Sequence, residues 1–254
     1  MPVPARDRAF AAGAGAVLAA YNNVIGLRAW HDRWYVPLNV CATCAIMSAA
    51  LARGLTAADI GIGRGSWRLT SAGVWWASAA AVGWVIVATL PATRQVLDDR
   101  RSASLAGREV AYQAVVRIPL GTVLWEEVAF RGVLQASLRR VLPSPAAMAV
   151  TSGVFGLWHV RPTVQALRAN GLAASRVRAV AGAGAGVAVM AAGGVVLSWL
   201  REHSGGVAAP IVLHLVTNSG AAVAAWAVKP RGLTDADPRA PDRRSGHRRH
   251  GGVR

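Results

Sequence analysis

Apolar residues run along most of this chain in stretches of about membrane-spanning length, separated by short segments rich in Arg, Gly and Pro. The pattern predicts seven helical spans, at about residues 9–27, 37–54, 70–90, 110–138, 145–160, 178–199 and 207–228. The first, "AFAAGAGAVLAAYNNVIGL", follows an Arg-containing start and could pass for a signal peptide, but six later spans make it a first anchor. Inside the fourth span, Pro119 lacks a backbone donor and predicts a kink just before a pair of glutamates. The expected architecture is therefore all-α: a polytopic transmembrane bundle of about seven helices forming one domain over residues 1–228.

Beyond Val228 the pattern changes to "KPRGLTDADPRAPDRRSGHRRHGGVR", with almost nothing apolar to bury. Residues 229–254 are expected to be a disordered basic tail. Composition agrees with the membrane reading, since 54% hydrophobic residues and a mean hydropathy of +0.35 suit a membrane bundle better than a soluble domain. Only one of the 28 basic residues, Lys229, is a lysine, which points to a GC-rich bacterial genome and hence to a multi-pass protein of the bacterial inner membrane.

The formal charge of +16 raises the question of a partner. Membrane lipids are the expected one, with the tail as a cytoplasmic, lipid-facing anchor. No nucleic acid is expected, because no aromatic residue interleaves the tail arginines. With seven spans and the tail inside, the cytoplasmic segments hold 18 basic residues and the opposite side eight, the bias expected of the positive-inside rule.

Two further stretches resemble motifs. "CATC", Cys41 to Cys44, lies within a predicted span, where small apolar packing explains it better than redox chemistry. "GAGAG", Gly182 to Gly186, follows no predicted strand and lacks the full dinucleotide-binding pattern, so close helix packing through Gly182 and Gly186 is expected instead.

The chemistry lies elsewhere. Between Glu109 and Glu202 the only acidic residues are Glu126 and Glu127, in "LWEEVAFRG". A charged side chain at mid-bilayer costs about 2.5 to 3.5 kcal/mol on insertion scales and usually faces a bundle interior or a watery cavity. On an α-helix Glu127 and Arg131 share a face, whereas Glu126 lies about 140 degrees round from Arg131. Glu127 is thus expected to pair with Arg131, leaving Glu126 to project elsewhere as a proton acceptor. The next span carries "FGLWH", ending in His159, and the last carries "HLVTN", with His214 and Asn218 four apart on one face. A carboxylate, two imidazoles and a carboxamide converging in a bundle offer a base for water and donors for a developing oxyanion. The same set could also bind a metal.

"EEVAFRG", "FGLWH" and "HLVTN" resemble the motifs EExxxR, FxxxH and HxxxN of the CAAX protease and bacteriocin-processing family, also called Abi. Order and residue types all match, and the resemblance covers about residues 110–228. "ADIGIGR", Ala58 to Arg64, also resembles a short loop that often precedes the family's core helices. The resemblance implies an intramembrane endopeptidase with a cavity open to the cytoplasm, acting on a peptide or a membrane protein. It further implies that Glu126 activates water with help from His159, that His214 and Asn218 stabilise the oxyanion, and that Glu127 and Arg131 hold the helix and the charge balance. The family is commonly labelled metalloprotease. No HExxH is present, and Asn218 is a poor zinc ligand but a good oxyanion donor, so a site without a cofactor is expected, with zinc as the alternative. A non-catalytic immunity or scaffold protein is the competing reading, and a proton-coupled transporter a third.

Overall fold

The computed structural model describes residues 4–25, 29–97 and 105–228. The tail expected at 229–254 lies outside the described residues. Seven long helices fall at the seven expected spans: α1 (Ala5–Val24), α2 (Tyr35–Ala52), α3 (Ser71–Thr89), α4 (residues 107–139), α5 (Ser144–Trp158), α7 (Arg176–Ser204) and α8 (Ala208–Ala227), with a shorter α6 (Val160–Ala169) between the fifth and sixth. The described residues contain no strand, so the molecule is an all-α membrane bundle. Four helices, α2, α3, α7 and α8, are long and apolar enough to cross a bilayer. Of the other three, α5 has 15 residues, while α1 opens on charged residues and α4 carries them in its interior.

Helix α4 is the axis of the bundle. Every residue from Trp125 to Leu138 is buried, as expected of a helix surrounded on all sides. Around it, Ala11, Ala14 and Leu18 of α1 and Phe155 and Trp158 of α5 pack against Ala129, Phe130 and Leu134. Ala50 of α2, Leu55 of the following loop and Ile60, the last residue of a single helical turn over Ala57–Ile60, cover Val133 and Ala136. The peripheral helices expose apolar side chains instead, including Trp75, Val82 and Val85 on α3 and Val180 and Val189 on α7. Such an outward apolar surface suits hydrocarbon rather than water.

Close helix contacts are made through glycine. A Cβ at Gly182 would lie 2.7 Å from Leu167, and one at Gly186 would collide with Thr163, so the "GAGAG" stretch packs α7 directly onto α6. Gly156 of α5 and Gly194 of α7 meet the facing helix backbone in the same way, at Val187 and Ser152.

Helix α4 is not α-helical throughout. Residues Gln113–Val123 and Glu127–Leu134 form π-helical turns, in which the Leu124 amide reaches the Pro119 carbonyl and the Gln135 amide reaches that of Phe130, five residues back. Proline cannot donate to a carbonyl, and its ring crowds the carbonyl four residues before it. The disturbance expected at Pro119 is thus taken up in the first widened stretch, while the second begins at Glu127 itself, beyond the reach of the proline ring.

Candidate active site

The two glutamates lie at the centre of the bundle, Glu126 with 4% of its surface exposed and Glu127 with none. Arg131, equally buried, donates from Nη1 to Glu127 Oε1 at 3.0 Å, the i,i+4 pair expected from the sequence. His214, reaching across from α8, shares that oxygen at 2.7 Å through Nδ1. An ionised carboxylate only accepts hydrogen bonds, so paired in this way Nδ1 carries the proton. The other ring nitrogen, Nε2, faces Glu126 Oε2 at 3.9 Å.

That last relationship departs from the helical-wheel expectation. Spacing at 100 degrees per residue turns Glu126 well away from Arg131, but a five-residue repeat brings positions 126 and 131 towards alignment. Both glutamates consequently present an oxygen to the single imidazole of His214, instead of serving separate faces.

Glu126 is held by a residue that the motif reading did not assign. Trp158, immediately before His159, donates its indole N–H to Glu126 Oε1 at 3.0 Å. Its ring stacks on Tyr21 of α1 with planes 1° apart and centroids 5.6 Å apart. Tyr21 in turn donates to Asn39 of α2. Glu126 Oε2, by contrast, is buried with no hydrogen-bond partner among the described residues.

His159 stands at the corner between α5 and α6, where its Nδ1 lies 2.8 Å from the Phe155 carbonyl. The end of α1 fixes that corner. Asn22 and Asn23 donate to the carbonyls of Trp158 and Leu157, and the Arg161 amide donates to Asn23. The polar trio "YNN" within an otherwise apolar span was the available signal for this support, and it becomes informative only once α1 is placed beside α5.

Phe155 joins the three motifs. Its ring centroid lies 4.6 Å from that of His159 and 6.2 Å from that of His214, while the Arg131 guanidinium sits 4.2 Å from it. Asn218, one helical turn beyond His214, is partly buried and makes no side-chain hydrogen bond to a described residue. The structure therefore brings Glu126, Glu127, Arg131 and His214 into one connected group. His159 approaches that group through Phe155, and Asn218 follows His214 on α8.

A polar ladder continues from Arg131 along α4 towards α7. Arg131 Nη2 approaches the Gly194 carbonyl at 3.4 Å, Gln135 donates to the Ser198 carbonyl and to Glu202, and Arg139 pairs with Glu202 at 3.3 Å. Residues 131, 135 and 139 on α4 thus match 194, 198 and 202 on α7, four apart on both helices. Among the described residues no three His, Cys, Asp or Glu side chains are grouped to hold a metal ion.

Fold and site together define an all-helical membrane protein with a buried carboxylate and imidazole centre. Residues 109–220 match the family model described as type II CAAX prenyl endopeptidase Rce1-like, and all three motifs lie within the matched segment. The resemblance to the CAAX protease and bacteriocin-processing family thus holds over this core. Comparison with curated proteins and with solved structures gives no significant match. The family match supports a CAAX-type intramembrane protease in general.

Proposed function

We propose that this chain is an endopeptidase of the bacterial inner membrane that hydrolyses peptide bonds in membrane-associated peptides or proteins, with Glu126 as the general base. The observation that carries this reading is the pair formed by Glu126 Oε2 and His214 Nε2, 3.9 Å apart and facing one another in a buried site. The gap is too long for a direct hydrogen bond and suits one shared through water.

In this mechanism Glu126 takes a proton from water as the water oxygen attacks the scissile carbonyl carbon, and later returns it to the leaving amine. Trp158 holds the other oxygen of the carboxylate, so that Oε2 is the basic one. His159 completes the hydrogen bonding of the water. His214 and Asn218 donate to the oxyanion as it forms. In this role Nε2 donates to the oxyanion while Nδ1 stays bound to Glu127, so both ring nitrogens of His214 serve as donors. Arg131 balances Glu127 throughout. The chemistry draws on no cofactor.

The positive-inside bias directs the tail after Val228 to the cytoplasm. Proteomics of membrane peptides in cells expressing the wild type or Glu126→Gln tests activity and substrate together. Peptides that accumulate uncleaved in the variant support the proposal. Identical peptide profiles from two equally expressed proteins favour a non-catalytic immunity or scaffold role.

A further inference from the structure

Away from the glutamates, α4 and α7 end beside the loop that carries Asp59, and a polar cavity of about 510 Å³ opens between them. Three guanidinium groups line it, those of Arg139, Arg140 and Arg201, together with two carboxylates, Asp59 and Glu202. Both carboxylates are already engaged: Arg139 pairs with Glu202 at 3.3 Å and Arg140 with Asp59 at 3.7 Å. Three cations against two anions leave one positive charge over, and geometry assigns it to Arg201.

Arg201 is only 4% exposed, yet it has no ion-pair partner among the described residues. One nitrogen, Nη2, donates to the Asp59 carbonyl at 2.7 Å, while Nε is buried with no partner. The guanidinium lies flat against the backbone of Gly61, where a Cβ would approach to 2.6 Å. The position is built into the fold, because Gly61 also accepts the Val207 amide and has a φ of +80°. Asp59 and Glu202 act on this cation from nearby, but each is already paired with another arginine, so the unpartnered Nε of a buried guanidinium marks a place for a further anion.

We propose that this cavity binds a phosphate-bearing anion, with Arg201 as its buried anchor and Arg139 and Arg140 at its rim. Guanidinium groups match phosphate oxygens through paired N–H donors, and the cavity has room for a phosphate with a small polar substituent. Its place at the ends of two packed helices, on the face opposite the basic tail, sets it at the edge of the membrane-spanning part of the bundle, where lipid phosphates lie. A phospholipid headgroup and free phosphate share this chemistry. The proposal does not depend on the catalytic reading, because none of these residues belongs to the carboxylate and imidazole group.

The test is thermal unfolding of the full chain in an uncharged detergent, with inorganic phosphate, phosphatidylglycerol or phosphatidylcholine added. A ligand at several times its Kd should raise the midpoint by about 2 to 4 °C. A rise with phosphatidylglycerol that exceeds that with phosphatidylcholine identifies a lipid source, and a rise with inorganic phosphate identifies the free ion. Arg201→Met removes the anchor and should abolish the rise. Ala58→Glu places a carboxylate in the cavity from an exposed helical position, leaves Arg201 intact and should abolish it too. The proposal is overturned if neither phosphate nor phosphatidylglycerol shifts the midpoint, or if the shift persists in Ala58→Glu.

Discussion

His214 donates from Nδ1 to Glu127 at 2.7 Å, which ties the last helix of the bundle to the central one at the oxygen that also receives Arg131. Glu127 is therefore a structural centre. Glu127→Gln should strand the Arg131 charge in a fully buried position, with a loss on the order of 3 to 5 kcal/mol. Arg131→Gln should partly rescue it by removing the stranded cation. A double-mutant cycle on thermal stability in detergent measures the coupling, and additive losses would show that the two side chains act independently.

Trp158 and Glu126 form a second testable pair. Trp158→Phe keeps an aromatic ring against Tyr21 but removes the only donor to Glu126 Oε1 among the described residues. A hydrogen bond to a charged group contributes about 1.5 to 3 kcal/mol, so the variant should lose stability on that scale. Turnover should fall as well, because the carboxylate is no longer anchored by one oxygen. Unchanged stability and turnover would show that the indole N–H does not hold the base.

The loop after α2 should be sensitive at one glycine. Gly61→Ala meets both a left-handed backbone and the Arg201 guanidinium, so a loss of about 1 to 3 kcal/mol is expected for the backbone strain alone. Gly54→Ala, with φ of +78° but open space around its Cβ, provides the comparison. The difference between the two midpoints isolates the crowding against Arg201, and equal losses would remove that contribution.

The periodicity of the chain located all seven long helices, because each is apolar over most of its length and bounded by Gly, Pro or Arg. It also identified the Glu127–Arg131 pair, whose spacing survives the change in helical repeat. Three features were not legible. The π-helical turns around the glutamates alter residue alignment without any change in hydrophobic pattern, so the approach of His214 to both carboxylates was hidden. Trp158 read as one apolar residue among many, since its indole acquires a polar role only when α5 lies against α4. Asn22 and Asn23 cap a corner more than 130 residues away, a contact that only the tertiary fold creates.

Chelation separates the proposed chemistry from a metal-dependent one. Cleavage should survive treatment with a strong chelator, since a carboxylate base and imidazole donors suffice for the steps proposed. The measurement is activity before and after chelation, with zinc returned at the end. Loss on chelation and recovery with zinc would establish metal dependence.

The central claim is that Glu126 is the base, and Glu126→Gln tests it most directly. The substitution preserves shape and polarity but cannot accept the proton of water. Cleavage by the purified variant, measured beside its thermal stability, should fall by at least about 100-fold while the fold survives. Turnover close to that of the wild type in a stably folded Glu126→Gln protein would contradict the account.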